Sequence, residues 1–449
     1  MAQLDATIAN VATPSIHADL HASGSVLQLV IGGYLIAFAM LLITGARLGH
    51  SWGYRNVYIG GMALFTVSSL ACGLAPSATI LVITRVCQGV GAAMMLPQSL
   101  SGIQINFVDE ARMRAIGLYA GALAGGAVAG QILGGVLVSA NIAGSLWRPI
   151  FLLNVPVGLV ILAGALRRFP KDPGAMRIPI DILGVVTLSA ALLLVVLPLI
   201  LGQSAGWPFW TWAMLAASIP TFALFLTLQR RASERGGAPL LNVHVLSDPP
   251  VLWSLIAIML ATIGYYALLF CLAQYMQDGL GHTALISGLT LVPWVAAFGL
   301  AGRLLKSIPA ALRPMVPFAG AALLLIAYTS ISVSLFSGDH DEILLLLPLA
   351  VGGFGLGLLF SALITHITKL VPTDYAADVS GVSTTTSATG GVLGVAAFGT
   401  LYLGQHHASI AEATHAFAVV ALGLAGLAVI VVAAVVPAVR SARRALPPA

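Results

Sequence analysis

Charge is scarce in this sequence. Only 8% of its 449 residues are Asp, Glu, Lys or Arg, while 59% are hydrophobic; an ordinary soluble domain carries about 25% charged residues. The shortage leaves too little polar material to cover a water-exposed surface, so a division into soluble domains of roughly 150 residues does not apply. Cysteine is scarcer still. Cys72, Cys87 and Cys271 all fall inside apolar segments without ligand spacing, which excludes a disulfide framework and predicts small buried packing residues. The opening residues have neither a charged stretch nor a small-residue cleavage site, so a removable signal peptide is not expected and the first helix is read as a retained anchor. Clustered carboxylates or histidines at a membrane face are also missing. That argues against an integral-membrane enzyme and leaves a transporter ahead of a non-transporting sensor.

What the chain has in abundance is long apolar runs. Crossing the hydrocarbon core takes about 20 mostly apolar residues, and Ile182 to Leu201, Val251 to Gln277, Pro314 to Gly338, Ile343 to Thr368 and Ala416 to Val439 contain no charged residue. They exceed ordinary strand length and lack the alternation of a barrel around an aqueous lumen. Helices are therefore predicted near 1–15, 26–46, 57–75, 78–98, 114–138, 149–166, 182–201, 209–228, 251–275, 285–302, 314–337, 343–366, 378–403 and 414–438. The expected fold class is an all-α integral membrane protein with about 14 transmembrane helices.

With the N-terminus inside, alternating loops place Arg47, Arg55, Arg112, Arg167, Lys171, Arg230, Arg303, Lys369 and Arg440 on the cytoplasmic side, Arg148 outside and Arg85 within a span. That is the positive-inside pattern. An odd number of missed spans would scramble it, so both termini are expected in the cytoplasm. The net charge of +5 is topological and predicts no nucleic-acid partner. Hydrophilic stretches Arg167–Pro179 and Arg230–Pro250 bracket one helix pair. They divide the chain into a six-helix bundle over 1–166, a linker with two extra helices over 167–249 and a second six-helix bundle over 250–449, the arrangement of a two-half transporter.

Two ionisable groups lie inside spans. Asp5 is in the first, within Leu4-Asp5-Ala6-Thr7-Ile8-Ala9-Asn10-Val11-Ala12-Thr13-Pro14, and Arg85 is in the fourth, within Arg85-Val86-Cys87-Gln88-Gly89-Val90-Gly91. A charge at a helix centre costs about 2.5–3.5 kcal/mol on insertion scales, so each needs a partner or a wet cavity. In the fifth span Gly117, Gly121 and Gly125, then Gly126, Gly130, Gly134 and Gly135, form small-residue tracks suited to close helix packing. Gly352 to Gly357 is read the same way. His406, His407 and His415 with Glu412 have irregular spacing and predict no metal site.

These residues together resemble the fourteen-helix drug/proton antiporter family of the major facilitator superfamily. Leu4, Asp5, Thr7, Ile8, Asn10, Val11, Ala12 and Pro14 match its first-helix signature, Arg85, Gln88, Gly89 and Gly91 its fourth-helix motif, and Trp147, Arg148, Phe151, Asn154, Val155, Pro156 and Gly158 its entry to helix six. The resemblance implies proton-coupled efflux of amphipathic small molecules across the bacterial inner membrane by a monomer. The proton gradient would supply the energy without a cofactor, and the partners would be substrate, protons and lipid bilayer. Solute uptake by symport is the alternative within transporters. Asp5 and Arg85 are the expected proton-coupling pair. Thr7, Asn10, Pro14, Gln88, Gly89, Gly91, Gly126, Gly130, Gln131, Gly134 and Gly135 are the expected transport-motif residues.

The stretch Gly45 to Asn56 resembles the superfamily's gating loop, with Gly45, Arg47, His50, Gly53 and Arg55 as its candidates. Three departures accompany the match. His50 stands where an acidic residue is usual, Gly130-Gln131 replaces Gly-Pro, and the first helix is short enough that further apolar residues upstream are expected. Trp253, Tyr265, Tyr266, Phe270 and Trp294 supply aromatic surface for a substrate cavity, a lipid face or an interfacial belt.

Overall fold

The computed structural model describes residues 1–169, 181–202, 204–235, 239, 248–309, 311–337, 342–371, 376–405 and 409–445. Among them there is no strand, and fourteen long helices account for the architecture. They are α1 (Ala2–Leu20), α2 (Gly24–Trp52), α3 (Tyr54–Gly73), α4 (Ala78–Asn106), α5 (Asp109–Ala140), α6 (Pro149–Arg168, stepped at Leu153), α7 (Ile182–Leu201) and α8 (Phe209–Glu234). Beyond these lie α9 (Pro249–Gln274), α10 (Ala284–Leu304, stepped at Leu291), α11 (Val316–Phe336), α12 (Glu342–Leu370), α13 (Ala376–Leu403) and α14 (Ile410–Ala445). Thirteen are long and apolar enough to cross a membrane. The exception is α1, whose sequence carries Asp5, Thr7, Asn10, Thr13 and Asp19.

Two expectations need correction. The segment read as a gating loop is helical through Trp52, with only Gly53 between α2 and α3, so Gly45, Arg47 and His50 belong to the last turns of α2. Nothing before Gly53 breaks the helix, and Gly45 and Gly49 lie against α4: a Cβ on Gly45 would come within 2.1 Å of the Ala93 carbonyl. The break falls at Gly53 because its φ of +86° suits a residue without a Cβ. Secondly, Cys87 is exposed, unlike buried Cys72 and Cys271. It follows exposed Ile80, Ile83 and Val86 on α4, an outward apolar surface suited to lipid.

The chain divides into two compact units, Met1–Asn242 and Val243–Ala449, so α7 and α8 go with the first. In that unit α1 packs on α5, α4 on both α2 and α3, and α6 on α3, while α7 pairs with α8 and touches α2. The second unit repeats the scheme eight helices later: α9 packs on α13, α12 on α10 and α11, and α14 on α11. The repeat extends to atoms. A Cβ on Gly130 of α5 would meet Thr7 Oγ1 at 2.2 Å and the Leu4 carbonyl at 2.5 Å, and one on Gly390 of α13 would meet Thr262 Oγ1 at 2.3 Å and the Met259 carbonyl at 2.6 Å. Gly89 abuts the Tyr34 carbonyl as Gly353 abuts that of Trp294, and Gly61 faces Gly91 as Gly320 faces Gly355. Each half is thus one packing unit used twice.

Polarity is inverted relative to a soluble protein. Thr7, Asn10, Gln88, Gln131 and Asn154 are buried, whereas Phe209, Ile219, Val160 and Leu347 face outward. In a bilayer only the interior offers polar groups a partner.

Candidate functional site

Polar residues on α1 are held by their own helix before they meet anything else. Pro14 lacks an N–H and frees the carbonyl four residues earlier; the Thr13 hydroxyl donates to that Asn10 carbonyl instead. Asn10 Nδ2 donates to the Ala6 carbonyl at 3.2 Å and Thr7 Oγ1 to the Leu4 carbonyl at 3.1 Å. The Asp5 carboxylate has no such local bond and finds its partners on other helices.

It finds them on α4 and α6. Arg85 Nη1 donates to Asp5 Oδ2, and both side chains are fully buried. Gln88 Nε2 and Asn154 Nδ2 each donate to Asp5 Oδ1 at 2.8 Å. Gln88, one turn beyond Arg85, also accepts from Arg85 Nη1 at 2.6 Å and donates to Ser69 Oγ of α3 at 2.8 Å. One amide thereby ties carboxylate, guanidinium and a third helix together.

The guanidinium does not depend on the carboxylate alone. Arg85 Nε donates to the Val30 carbonyl at 2.9 Å, and its head lies 4.4 Å from the Tyr34 ring centroid and 5.5 Å from that of Phe151. Desolvated cation–π contacts of this kind are worth about 2 kcal/mol. Arg85 Nη2 has no hydrogen-bond partner among the described residues. The cation thus has a carbonyl and two ring faces beside the carboxylate.

The expected transport-motif residues fall at helix crossings around this network. Thr7 Oγ1 shares its one proton between the Leu4 carbonyl and the Ala127 carbonyl of α5, the latter at 3.2 Å, and Gln131 Nε2 reaches back to the Thr7 carbonyl at 3.5 Å. The side chain that replaces proline in the Gly-Pro pair is therefore a cross-helix donor. Gly130 and Gly134 sit against Leu4, Thr7 and Ile8 of α1, Gly126 is in looser contact with Leu4, and Gly135 is buried. Gly89 and Gly91 set α4 against α2 and α3.

The gating-stretch residues are not part of this cluster. Arg55 caps α6 instead, donating to the Leu166 and Phe169 carbonyls at 2.8 and 3.2 Å. Gln98 Nε2 donates to the Gly45 carbonyl at 2.6 Å. The His50 side chain lies outside the described residues, as do His406 and His407. Among the described residues no group of three His, Cys, Asp or Glu side chains is placed to hold a metal ion.

Sequence reasoning missed several participants. Tyr34 and Ser69 are single polar residues in apolar runs and carry no signal of their own. Asp19 was also missed: it accepts from Trp147 Nε1 at 2.9 Å and Arg148 Nη1 at 2.7 Å, tying the far end of α1 to the start of α6. Its signal was the basic residue of Trp147-Arg148, the only one assigned to an external loop.

Helix order, twofold packing and a buried charge pair between the first and fourth spans define a two-bundle membrane carrier. The family model described as Major Facilitator Superfamily matches residues 1–395, and the chain belongs to that superfamily of multi-pass membrane transporters. It is 32% identical over 405 residues to the Probable actinorhodin transporter of Streptomyces coelicolor, covering 89% of this chain and 70% of that one. It is 31% identical over 404 residues to the Tetracenomycin C resistance and export protein of Streptomyces glaucescens, covering 89% and 73%. Among solved structures, a bacterial homologue of the human lysosomal transporter Spinster, in an inward-facing and unoccupied conformation, superposes with a TM-score of 0.70 at 17% identity, covering 100% of this chain and 96% of that one. That last likeness concerns the fold.

Proposed function

We propose that this protein exports amphipathic small molecules across the bacterial inner membrane in exchange for protons, as a monomer with both termini in the cytoplasm and no cofactor beyond the proton gradient. The export names of its relatives support the direction of transport. The observation that carries the coupling is the buried Asp5–Arg85 pair with Gln88 and Asn154 on the same carboxylate.

Coupling requires one group whose proton affinity differs between two conformations. Burial favours the neutral carboxyl, whereas an adjacent guanidinium and amide donors favour the carboxylate. Because Asp5, Arg85 and Asn154 come from three different helices, a small relative movement of α1 changes both influences together. Proton uptake from the outside would neutralise Asp5 and loosen α1 from α4, while Arg85 keeps the Val30 carbonyl and the Tyr34 ring. Inward opening and substrate entry would restore the pair and expel the proton. One charge crossing the membrane field is worth about 2.3 kcal/mol per 100 mV, enough to bias that cycle.

The test is Asp5→Asn in proteoliposomes. The variant should insert and exchange substrate across equal pH on both sides, yet lose concentrative transport driven by an imposed pH gradient. Full gradient-driven transport by a stably inserted variant would falsify the assignment. Imposing the gradient in each direction separates export from the symport alternative.

A further inference from the structure

Two carboxylates of α1 grip α6 and its entry. Asp5 accepts from Asn154 of α6 at 2.8 Å, and Asp19 accepts from Trp147 Nε1 at 2.9 Å and Arg148 Nη1 at 2.7 Å, just ahead of α6. The first grip is buried and shared with Arg85, whereas the second is partly exposed at the far end of α1. The second unit has neither charge. With Leu4 matched to Met259 and Thr7 to Thr262, Leu260 stands where Asp5 does and Gln274 where Asp19 does; Gln274 Oε1 has no hydrogen-bond partner among the described residues.

The grip at Asp19 rests more on the indole than on the ion pair. Arg148 is partly exposed, and an ion pair in contact with water holds little. Trp147 is fully buried, so its N–H needs the acceptor that Asp19 supplies. The anchor is also continuous with the charge site: the Trp147 ring meets Phe151 edge-on at 5.9 Å, and the Phe151 ring centroid lies 5.5 Å from the Arg85 head. His17 Nδ1 lies 2.7 Å from the Ala22 carbonyl and closes the turn into α2, where His21 takes a φ of +48°. The last turn of α1 is thereby tied to α2 and to the entry of α6 together.

Between the two grips stands Pro14. Its missing N–H removes one rung of the helix at the Asn10 carbonyl, which the Thr13 hydroxyl occupies instead, and a helix bends most readily at such a point. From Pro14 to Asp5 is about 13 Å at helical rise, so a bend of about 10° displaces the carboxylate by about 2 Å. That carries a hydrogen bond of 2.8 Å beyond reach.

We propose that Asp19 is a positioning residue for proton coupling, a reading that rests on the role given to Asp5 above. It fixes the last turn of α1 on the entry to α6, so that loss of charge at Asp5 bends α1 at Pro14. Without that fixed point the whole helix shifts, and the charge change is not converted into a directed movement.

Dipolar distance measurements on spin-labelled protein in lipid nanodiscs test this without any substrate. Cys87, exposed on α4, is one label site; Gln3→Cys or Ala18→Cys supplies the other, in protein carrying Cys72→Ala and Cys271→Ala. Introducing Asp5→Asn is expected to change the separation from position 3 by about 3 Å and that from position 18 by less than about 1 Å. Adding Asp19→Leu should make both separations change. Trp147→Phe, which deletes the same bond without stranding a donor, should do the same, and it decides the matter if Asp19→Leu does not insert. Asp19→Asn keeps an acceptor for the indole and should restore the parent pattern. Equal changes at the two positions while Asp19 is intact, or an unaltered pattern in the inserted Asp19→Leu and Trp147→Phe variants, overturn the anchor and leave the coupling role of Asp5 standing. No change at either position on Asp5→Asn overturns the release of α1, and the anchor with it.

Discussion

Asp5 and Arg85 are each other's largest stabiliser and largest liability. Taking either charge out of water costs several kcal/mol, which the pair recovers only when its geometry and supporting hydrogen bonds are intact. Removing one partner strands the other in a dry site, typically at about 3–5 kcal/mol. Arg85→Leu is therefore expected to lower the thermal unfolding midpoint of the purified protein substantially, and adding Asp5→Asn should recover much of the loss. The check is a double-mutant cycle by thermal unfolding in detergent, and additive losses would argue against direct coupling. This pair was legible in the sequence because an ionisable residue inside an apolar run demands explanation. Ser69 and Tyr34 were not: a serine in a membrane helix satisfies itself on its own backbone, as Ser69 does with the Phe65 carbonyl at 2.7 Å, so its second contact leaves no trace in the pattern.

Among elements, α1 and α5 show what periodicity can and cannot convey. The spacing of Gly117, Gly121, Gly125, Gly126, Gly130 and Gly134 identifies small-residue tracks but not which track meets a neighbour. Among the described residues Gly121 and Gly125 have nothing within 4 Å of a notional Cβ, whereas Gly130 meets Thr7 and Leu4 at 2.2 and 2.5 Å. Gly130→Ala must push α1 away from α5 and should cost about 1–3 kcal/mol, the usual range for overpacking. Gly390→Ala should cost a similar amount at the equivalent crossing of α13 with α9, and Gly121→Ala should cost nothing measurable. Thermal unfolding of the three variants gives the ranking, and a penalty for Gly121→Ala equal to that for Gly130→Ala would refute the crossing argument. The end of α2 was misread for a related reason. Gly45 and Gly49 look like loop residues beside arginine and histidine, but here glycine serves the crossing with α4 and the chain stays helical to Trp52.

For the whole molecule the decisive element is the helix that fails the apolarity test. Thirteen helices qualify as spans by length and composition among the described residues; taken alone, that odd number would put the termini on opposite sides of the membrane. Yet α1 does not need to be apolar, because it does not need to face lipid. Its residues from Asp5 to Pro14 are all buried, and the Asp5 carboxylate and Thr7 hydroxyl find partners on neighbouring helices. Hydropathy measures partitioning into hydrocarbon, whereas α1 partitions into protein, so the even count derived from the loop arginines is the physically consistent one. With both termini in the cytoplasm, as proposed, the turn around Gly206 between α7 and α8 would face outward and the segment around Arg235 after α8 would face the cytoplasm. Alkaline phosphatase, which folds only outside the cytoplasm, should be active when fused after Gly206 and inactive when fused after Arg235. Tags at the two ends should both be shielded from protease in intact cells. A protease-accessible N-terminal tag with the same phosphatase pattern would show that α1 does not span, and would remove Asp5 from the membrane interior on which its proposed role depends.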